Sequence, residues 1–442
     1  MRTTLLALSL ASACLTCALG APLAHAADMA RPEVRAQAER LAPKVLAWRR
    51  DIHQHPELGN REVRTATLVA DHLRALGLDV KTSIATTGVV AVLKGGKPGP
   101  RIAIRADMDA LPVTERHALP FASKVTSTFR GETVGVMHAC GHDAHTATLM
   151  GVAEAMVAMK ADLPGEVLFV FQPAEEGPPD GEEGGAEEML KQGIFRDFKP
   201  EAVFGLHVFS TLNAGQIGYR AGPAMAASDR FNIVIKGRQT HGSRPWGGVD
   251  PIVAAADVIG TAQTIVSRRQ NISKLPVVVT FGAIKGGIRY NIIPDQVEMI
   301  GTIRTFDEGM RQAVFKDLQN VAEHVAAAHG ATAVAQIPDT KGNPVTVNNP
   351  ALTAKLLPSL ERAAGKENVV EMGLNMGAED FSFYAREVPG FFFFVGATPK
   401  GQDAGKAPSN HSPEFVLDES ALDVGLRAML QVTLDYLHGA NG

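Results

Sequence analysis

The sequence predicts an α/β protein in which a small β-α-β-β-α-β unit is inserted into a larger domain with a helix-flanked sheet. Between residues 89 and 206, short apolar, β-rich runs alternate with helical patterns, which is typical of α/β domains. From about Ala226 the pattern changes to one strand, one helix, two strands, a second helix and a closing strand. After about Pro338 the chain returns to mixed helix and strand segments. A domain insertion is the simplest arrangement that explains these changes.

The first 26 residues have the pattern of a secretory signal peptide. Arg2 precedes an apolar run over residues 5–10, and small residues follow up to Ala24-His25-Ala26. This order predicts cleavage after Ala26 and export to the periplasm or the medium. The apolar run is too short to span a bilayer. Lipidation at Cys14 is a weaker alternative.

The charge balance and the cysteine count narrow the classes of function. The chain carries 43 basic and 47 acidic side chains, and loss of Arg2 with the signal peptide leaves 42 against 47, a net charge of −5. Neither this balance nor any basic run indicates nucleic-acid binding. Two of the three cysteines lie in the signal peptide, so the mature chain keeps only Cys140 and forms no internal disulfide. A single thiol inside a cluster of His and Asp side chains indicates metal ligation.

Residue periodicity and glycine or proline stops set the elements of the larger domain. An amphipathic helix over residues 33–50 is followed by a break at Pro56, and the next helix, over residues 62–76, stops at Gly77. A third helix is expected over residues 145–159. Apolar, β-rich runs predict strands over residues 89–93, 101–106, 166–171, 202–206 and 391–395.

The inserted lid domain is predicted over residues 226–336, and the larger domain over residues 27–225 and 337–442. Asp250 and Pro251 mark the start of its first helix, since Asp is a favourable N-cap and Pro suits the first helical position. Its elements are two helices, over residues 251–269 and 308–329, and four strands, over residues 231–235, 277–281, 297–303 and 332–335. This order is that of a ferredoxin-like unit.

Polar side chains follow three of the predicted strands directly. They are Asp107 and Asp109, Glu175 and Glu176, and His207. In open α/β sheets the functional site forms outside the carboxyl ends of the strands. We therefore expect these groups to converge.

The densest cluster of metal-ligating residue types is Met137-His138-Ala139-Cys140-Gly141-His142-Asp143-Ala144-His145. A thiolate and an imidazole two positions apart can bind one metal centre, because they point to the same side of an extended segment or turn. Taken alone, the stretch is equally compatible with a buried free cysteine beside polar loop residues. The proposed ligands are Cys140, His142, Glu176, His207 and His411. Five ligands exceed the need of one tetrahedral ion and suit two metals with one bridging ligand.

The paired carboxylates of Glu175 and Glu176 allow a division of roles. One can bind metal while the other stays free as a general base for water activated by the metal. In isolation such a pair is usually a solvated acidic surface, and His207 alone is more often a satisfied polar residue. Asp109 is assigned equally to orienting a ligand imidazole or to capping the turn over residues 110–112.

Six motifs, in order along the mature chain, carry a resemblance to a known family. They are His53-Gln54-His55-Pro56-Glu57-Leu58, Arg105-Ala106-Asp107-Met108-Asp109-Ala110-Leu111-Pro112, Met137-His138-Ala139-Cys140-Gly141-His142-Asp143, Gln172-Pro173-Ala174-Glu175-Glu176, Gly205-Leu206-His207 and Gly377-Ala378-Glu379-Asp380-Phe381. The chain resembles the amidohydrolase branch of the aminoacylase and carboxypeptidase dimetal peptidases. Members of this branch include hippurate hydrolases and the plant hydrolases of indole-acetyl-amino acids.

The resemblance implies a catalytic domain with a mixed sheet, a dimetal site bridged by Cys140, and Glu175 as general base. It also implies that the inserted domain mediates dimerisation. His241 and Asn291 match a His and an Asn of that domain that help hold the substrate, the His often in the partner's site. Ala378 stands where many relatives have Ser, which affects a hydrogen bond behind the site rather than the chemistry.

We therefore expect an exported, metal-dependent amidohydrolase that cleaves N-acyl amino acids such as hippurate. Metal-bound hydroxide attacks the amide carbonyl, and Glu175 moves the proton to the leaving amine. His241 stabilises the oxyanion, and Asn291, with Arg289, holds the free carboxylate. Two divalent ions per subunit are implied; thiolate and imidazole favour zinc, while manganese, cobalt and nickel stay open. The expected partners are a small N-acyl amino acid or short peptide and a second copy of the chain.

Three other functions are compatible with parts of the pattern. A metallo-carboxypeptidase or dipeptidase would use the same site. A catalytically silent metal-binding protein would have no need of the free carboxylate of Glu175. A deacetylase of a cell-wall intermediate would have little access to cytoplasmic precursors after export.

Overall fold

A computed structural model describes residues 30–439 of the chain. The predicted signal peptide, its cleavage site after Ala26 and the lipidation alternative at Cys14 lie outside the described residues. Within residues 30–439, no helix is both long and apolar enough to cross a bilayer.

Helices and strands alternate along most of the described chain. The α-helices are α1 (Pro32–Gln54), α2 (Val63–Ala75), α3 (His142–Ala158), α4 (Gly185–Lys191), α5 (Ile194–Phe198), α6 (Pro251–Thr264), α7 (Glu308–Ala328), α8 (Pro350–Ala364), α9 (Phe381–Glu387) and α10 (Ser420–Leu437). The strands are β1 (Asp79–Ile84), β2 (Gly88–Lys94), β3 (Lys97–Asp107), β4 (Thr126–Phe129), β5 (Glu132–Gly135), β6 (Pro164–Gln172), β7 (Ala202–Asn213), β8 (Ile217–Tyr219), β9 (Gly222–Met225), β10 (Ala227–Lys236), β11 (Thr240–His241), β12 (Val278–Gly286), β13 (Ile292–Ile293), β14 (Gln296–Thr305), β15 (Thr332–Gln336), β16 (Thr346–Asn348), β17 (Val369–Glu371) and β18 (Gly390–Thr398).

A large mixed sheet confirms the predicted α/β class. Its strand order is β1-β2-β6-β3-β7-β18-β8-β17. The four central strands, β6, β3, β7 and β18, are mutually parallel, whereas β1, β2 and β8 run antiparallel to a neighbour. Because the central strands are parallel, their carboxyl ends meet at one edge, where a site is expected.

Both faces of this sheet are covered by helices. On β18, Phe391 and Phe393 belong to the core shared with α1, α2, α3, α8 and α10. Phe392 and Phe394 point to the other face, where α4, α5 and α9 pack. Burial on both faces explains why this strand reads as a continuous apolar run. Each buried Phe contributes about 1.5–3 kcal/mol relative to an exposed one.

The predicted helix limits hold best where the chain carries a stop signal. α2 ends at Ala75, just before the glycine that was expected to stop it. α1 continues to Gln54, four residues beyond its expected end, because Pro56 disfavours helical backbone only at the residue preceding it. α3 starts at His142, three residues earlier than expected.

One strand extends beyond its predicted end. His207 was expected to follow the strand over residues 202–206, but β7 continues to Asn213. The extension arises because β18 pairs with β7 in parallel from Val203 to Phe209. His207 therefore lies inside the strand, opposite Phe394.

A separate four-stranded sheet is built from residues between Ala227 and Gln336. Its order is β12-β14-β10-β15, with every neighbouring pair antiparallel, and α6 and α7 contribute to its core. The elements follow one another as β-α-β-β-α-β, as expected for a ferredoxin-like unit. We call this part the four-stranded unit. Its limits as a domain and its role in dimerisation stay predictions.

Candidate metal centre and active site

The carboxyl edge of the central sheet brings the predicted metal ligands together. Cys140 and His142 lie at the start of α3, and Glu176 follows β6. His207 projects from β7, and His411 comes from the loop before α10. All five side chains belong to clusters whose ligand atoms lie within 4.8 Å of one another. Their assignment as metal ligands stays a prediction.

Gly141 determines how Cys140 and His142 approach β7. Its backbone has φ of 100°, a left-handed conformation that glycine adopts without strain. A Cβ atom at this position would lie 2.1 Å from a methyl group of Val208. The spacing Cys-Gly-His is therefore required by the close contact between the start of α3 and β7.

The thiol of Cys140 occupies the middle of the cluster. Its Sγ lies 3.3 Å from Nε2 of His207 and 3.3 Å from Nε2 of His411. Nε2 of His411 also lies 3.0 Å from Oε1 of Glu176. Cys140 thus belongs to two triads, one with His142 and His207 and one with Glu176 and His411.

The imidazoles of His142 and His207 each direct Nδ1 at a backbone carbonyl and Nε2 toward the cluster. Nδ1 of His142 lies 2.8 Å from the carbonyl oxygen of Asp109, and Nδ1 of His207 lies 2.7 Å from that of Val208. Protons on these Nδ1 atoms leave both Nε2 atoms with lone pairs that face the thiol. This is the arrangement that histidine ligands of metals usually adopt.

Nε2 of His142 is buried and has no hydrogen-bond partner among the described residues. Oε1 of Glu176 is also buried and faces Nε2 of His411 at 3.0 Å. Buried polar atoms normally have a partner, and an ion is one explanation for an exception. The donor set of one thiolate, three imidazoles and one carboxylate fits two divalent ions that share Cys140. The residues present therefore fit the implied metal centre.

Burial and the surrounding carboxylates shift the titration of the cluster strongly. Burial, together with the charges of Glu176 and Glu175, holds the pKa of Cys140 well above its usual value. Burial, with the neighbouring His145, holds the pKa of His207 well below its usual value. Burial lowers the pKa of His142, but Asp107 and Asp109 outweigh it and raise the value to about 10. Divalent cations would offset the carboxylate charge that contributes to the raised pKa values of Cys140 and His142.

Glu175 and Glu176 point to different neighbours. Oε2 of Glu175 lies 3.9 Å from Nε2 of His142, and its Oε1 accepts the backbone N–H of Asp380 at 3.3 Å. Burial, with the charges of Glu379 and Glu176, holds the pKa of Glu175 well above its usual value. Glu175 therefore adjoins the ligand cluster, and the positive charge of divalent ions there would favour its ionised form.

The side chain of Asp109 joins two of the predicted ligands. Its Oδ1 lies 3.2 Å from Nδ1 of His142, and its Oδ2 accepts the backbone N–H of Glu176 at 2.9 Å. In the described part of the chain, no hydrogen bond from residues 110–112 reaches this carboxylate. The carboxylate therefore contacts the ring of His142 and the backbone of Glu176, and its role in orienting the imidazole stays a prediction.

A buried charge cluster beside Glu175 was not assigned a role from the sequence. Arg105 donates to Asp107 at 2.6 Å and to Asp380 at 2.8 Å, and its Nη2 lies 2.8 Å from Glu379. An arginine in an otherwise apolar strand pattern is the signal that could have indicated this cluster. His145 bonds to Asp107 at 2.6 Å and accepts the Val208 N–H at 2.8 Å, so both of its ring nitrogens have protein partners.

The predicted substrate-binding residues lie in the four-stranded unit. His241 is exposed on β11, which pairs with β13, and its Nδ1 accepts the backbone N–H of Ser243 at 3.0 Å. Arg289 is exposed, while Oδ1 of Asn291 is buried and has no hydrogen-bond partner in the described part of the chain. Within residues 30–439, no hydrogen bond or ion pair connects these three side chains to the five predicted ligands.

A cleft of about 510 Å³ opens beside the metal centre. Its lining includes Glu175, Glu176 and the acidic, glycine-rich loop over residues 177–185. Arg230, on β10 of the four-stranded unit, and Lys341 also line the cleft. Glu175 therefore lines a cleft whose volume is in the range of small-molecule sites.

The fold and the site define a metal-dependent hydrolase of amide or peptide bonds. A family model described as peptidase family M20/M25/M40 matches residues 103–435, and the chain belongs to this family. The N-acetylcysteine deacetylase of Bacillus subtilis (strain 168) is 40% identical over 387 residues, covering 86% of this chain and 93% of the relative. Thermostable carboxypeptidase 2 of Saccharolobus solfataricus is 38% identical over 385 residues, covering 87% of this chain and 93% of the relative.

A crystal structure supports the same family and fold. It is of a Bacillus subtilis protein described as a dinuclear metal-binding peptidase of the M20 family. The two chains are 36% identical, superpose with a TM-score of 0.73, and match over 90% of this chain and 99% of the other. The predicted resemblance to the aminoacylase and carboxypeptidase dimetal peptidases is confirmed.

Proposed function

We propose that this protein hydrolyses the amide bond of N-acyl amino acids. The observation that carries the proposal is the position of the Glu175 carboxylate, whose Oε2 lies 3.9 Å from Nε2 of His142 at the edge of the ligand cluster. A site that only binds metal has no need of such a base. The similarity to an N-acetylcysteine deacetylase supports an N-acyl amino acid as the substrate class.

The five clustered side chains would hold two divalent ions, with zinc favoured by the thiolate and imidazole donors. When bound, such ions lower the pKa of a coordinated water and polarise the substrate carbonyl. The protein supplies the orientation of the ligands. Asp109 fixes the ring of His142, and the carbonyl of Val208 fixes that of His207.

Glu175 carries the proton in the proposed reaction. The backbone N–H of Asp380 holds its Oε1, so Oε2 is the oxygen that faces the cluster. Oε2 takes a proton from the attacking water and delivers it to the leaving nitrogen. This role requires the ionised carboxylate, which the positive charge of bound divalent ions would favour against the burial and neighbouring carboxylates that raise the pKa of Glu175.

The four-stranded unit would complete the substrate site in a homodimer. His241 would stabilise the oxyanion, and Asn291 with Arg289 would hold the substrate carboxylate. Large apolar side chains next to these residues are exposed in the single chain: Trp246 to 81%, Ile288 to 98% and Tyr290 to 93%. A second copy that covers this surface would bring His241 to the partner's metal centre.

Two further parts of the proposal concern the substrate and the location. A carboxypeptidase or dipeptidase activity on the same site is the second candidate, supported by the 38% identity to a thermostable carboxypeptidase. Export with cleavage after Ala26 is proposed from the signal pattern of residues 1–26.

A substrate panel on the purified, metal-loaded protein tests these proposals. Hippurate, N-acetylated amino acids and unblocked dipeptides are incubated before and after chelation, and released amino acid is measured. Turnover of blocked substrates that chelation abolishes supports the amidohydrolase. Faster turnover of free dipeptides favours the peptidase, and no turnover of any amide contradicts both.

A further inference from the structure

The turn before α2 connects directly to the segment that carries the proposed base. This turn, over residues 59–62, contains Glu62, whose side chain is fully buried. Oε1 of Glu62 accepts the backbone N–H of Ala174 at 2.9 Å, and its Oε2 accepts the hydroxyl of Thr87 at 2.5 Å. Ala174 immediately precedes Glu175 and Glu176.

Glu62 is not needed for its local element. It occupies the N-cap position of α2, but its side chain makes no capping hydrogen bond. Glu57 performs that role, because its two carboxylate oxygens accept the N–H groups of Arg64 and Thr65, both at 2.9 Å. The carboxylate of Glu62 is instead directed at a residue 112 positions away in sequence.

Ala174 has a backbone conformation that requires support. Its φ is 50°, in the left-handed region that residues other than glycine rarely adopt. Such conformations persist where the surrounding structure fixes them, and they are frequent at functional sites. The hydrogen bond from the backbone N–H of Ala174 to Glu62 supports this conformation.

The rest of this segment is held by further contacts, two of which come from the turn over residues 59–62. Asp109 accepts the N–H of Glu176 at 2.9 Å, so the two glutamates lie between two buried carboxylates. A Cβ atom on Gly59 would lie 2.8 Å from the carbonyl oxygen of Gly177, which shows how closely the backbones approach. Asn60 donates to the carbonyl of Glu183 at 2.9 Å, farther along the loop.

We infer that Glu62 is a positioning residue for the Glu175–Glu176 pair. By holding Ala174 in its left-handed conformation, it directs Glu175 toward His142 and Glu176 toward His411. This inference rests on the proposed function for its kinetic part only. Its second part concerns the metal affinity of a cluster that contains Glu176.

Glu62→Ala tests the inference on the full-length mature protein. We expect kcat on an N-acyl amino acid to fall about 10- to 100-fold with little change in KM, and the affinity for Co²⁺, followed by its visible absorption, to fall in the same range. The variant Glu62→Gln should keep both kcat and Co²⁺ affinity within about threefold of the wild type, because an amide oxygen still accepts the Ala174 N–H.

Glu57→Ala is the matched control. It removes a carboxylate five residues earlier that caps α2, so it should lower the melting temperature while leaving kcat and Co²⁺ affinity unchanged. If Glu62→Ala leaves both quantities unchanged, or if Glu57→Ala lowers them equally, the inference is wrong. If the wild type hydrolyses no amide, the proposed function fails, and the Co²⁺ titrations of the three variants still decide the inference.

Discussion

Cys140 is the side chain through which the two candidate ligand triads are connected. One triad adds His142 and His207, and the other adds Glu176 and His411. A substitution at Cys140 therefore removes a donor from both triads, whereas a substitution at His207 removes a donor from one. This difference predicts distinct metal contents for the two variants.

We expect Cys140→Ala to lose both ions and His207→Ala to retain one when each is dialysed against a weak chelator. The physical reason is that a divalent ion held by fewer than three protein ligands is bound weakly. Metal per subunit, measured by elemental analysis, checks the prediction. An equal metal content in the two variants would show that Cys140 does not bridge.

Glu175 is predicted to transfer protons and not to bind metal. Glu175→Gln keeps the shape of the side chain but removes the base, so kcat should fall by about 10²- to 10⁴-fold. The metal content should remain that of the wild type. Steady-state kinetics and elemental analysis of the same preparation test both parts.

Glu183→Gln is the matched control for this substitution. It removes an exposed carboxylate of the same loop that is paired with Lys191 at 2.9 Å and should leave kcat unchanged. Retention of more than about a tenth of the wild-type kcat in Glu175→Gln would contradict the role of a general base.

At the scale of the elements, the start of α6 follows directly from its sequence. Asp250 accepts the N–H of Ile252 at 2.9 Å and that of Val253 at 3.4 Å, and Pro251 occupies the first helical turn. Asp250→Ala should lower the free energy of unfolding by about 1 kcal/mol, because an N-cap acceptor is lost. Asp250→Asn should lose little, since Asn caps as well as Asp.

Urea denaturation followed by circular dichroism measures the effect of both substitutions. The comparison isolates the hydrogen bond, because the two variants lose the same charge. Equal stability of Asp250→Ala and Asp250→Asn would mean that the cap contributes nothing to this helix.

Sequence periodicity predicts the elements better than it predicts the contacts between them. The alternation in β10 and β14 and the caps of α6 and α7 are local features, so the ferredoxin-like order could be predicted. The length of β7 could not, because it depends on pairing with β18, nearly two hundred residues later. The same limit applies to Glu62, whose partner Ala174 is distant in sequence.

The site shows the same division between local and distant information. The five predicted ligands could be proposed because Cys, His and Glu are residue types that ligate metal ions. The buried cluster of Arg105, Glu379 and Asp380 could not, since it forms between two segments that meet only in the folded protein. Neither periodicity nor spacing reveals which of these charges face one another.

Exposed apolar side chains lie along one edge of the four-stranded unit. β12 is an edge strand and carries Ile284, which is 52% exposed. Ile288 and Tyr290 follow it directly, and Ile252 of α6 lies close to Gly287. We call this surface the β12-edge patch. An apolar, unpaired strand edge is the kind of surface that a second chain covers.

We expect the mature protein to be a dimer through this patch, and Ile288→Arg with Tyr290→Arg to convert it to a monomer. Burying two new charges in an apolar interface without partners is strongly unfavourable. If His241 acts in the partner's site, the monomer should also lose kcat while keeping its bound metal.

Val334→Arg is the control, because Val334 is exposed on β15, the opposite edge of the same sheet. Analytical ultracentrifugation and kinetics of the three proteins decide the matter: a dimeric or fully active double variant would show that the patch does not complete the site.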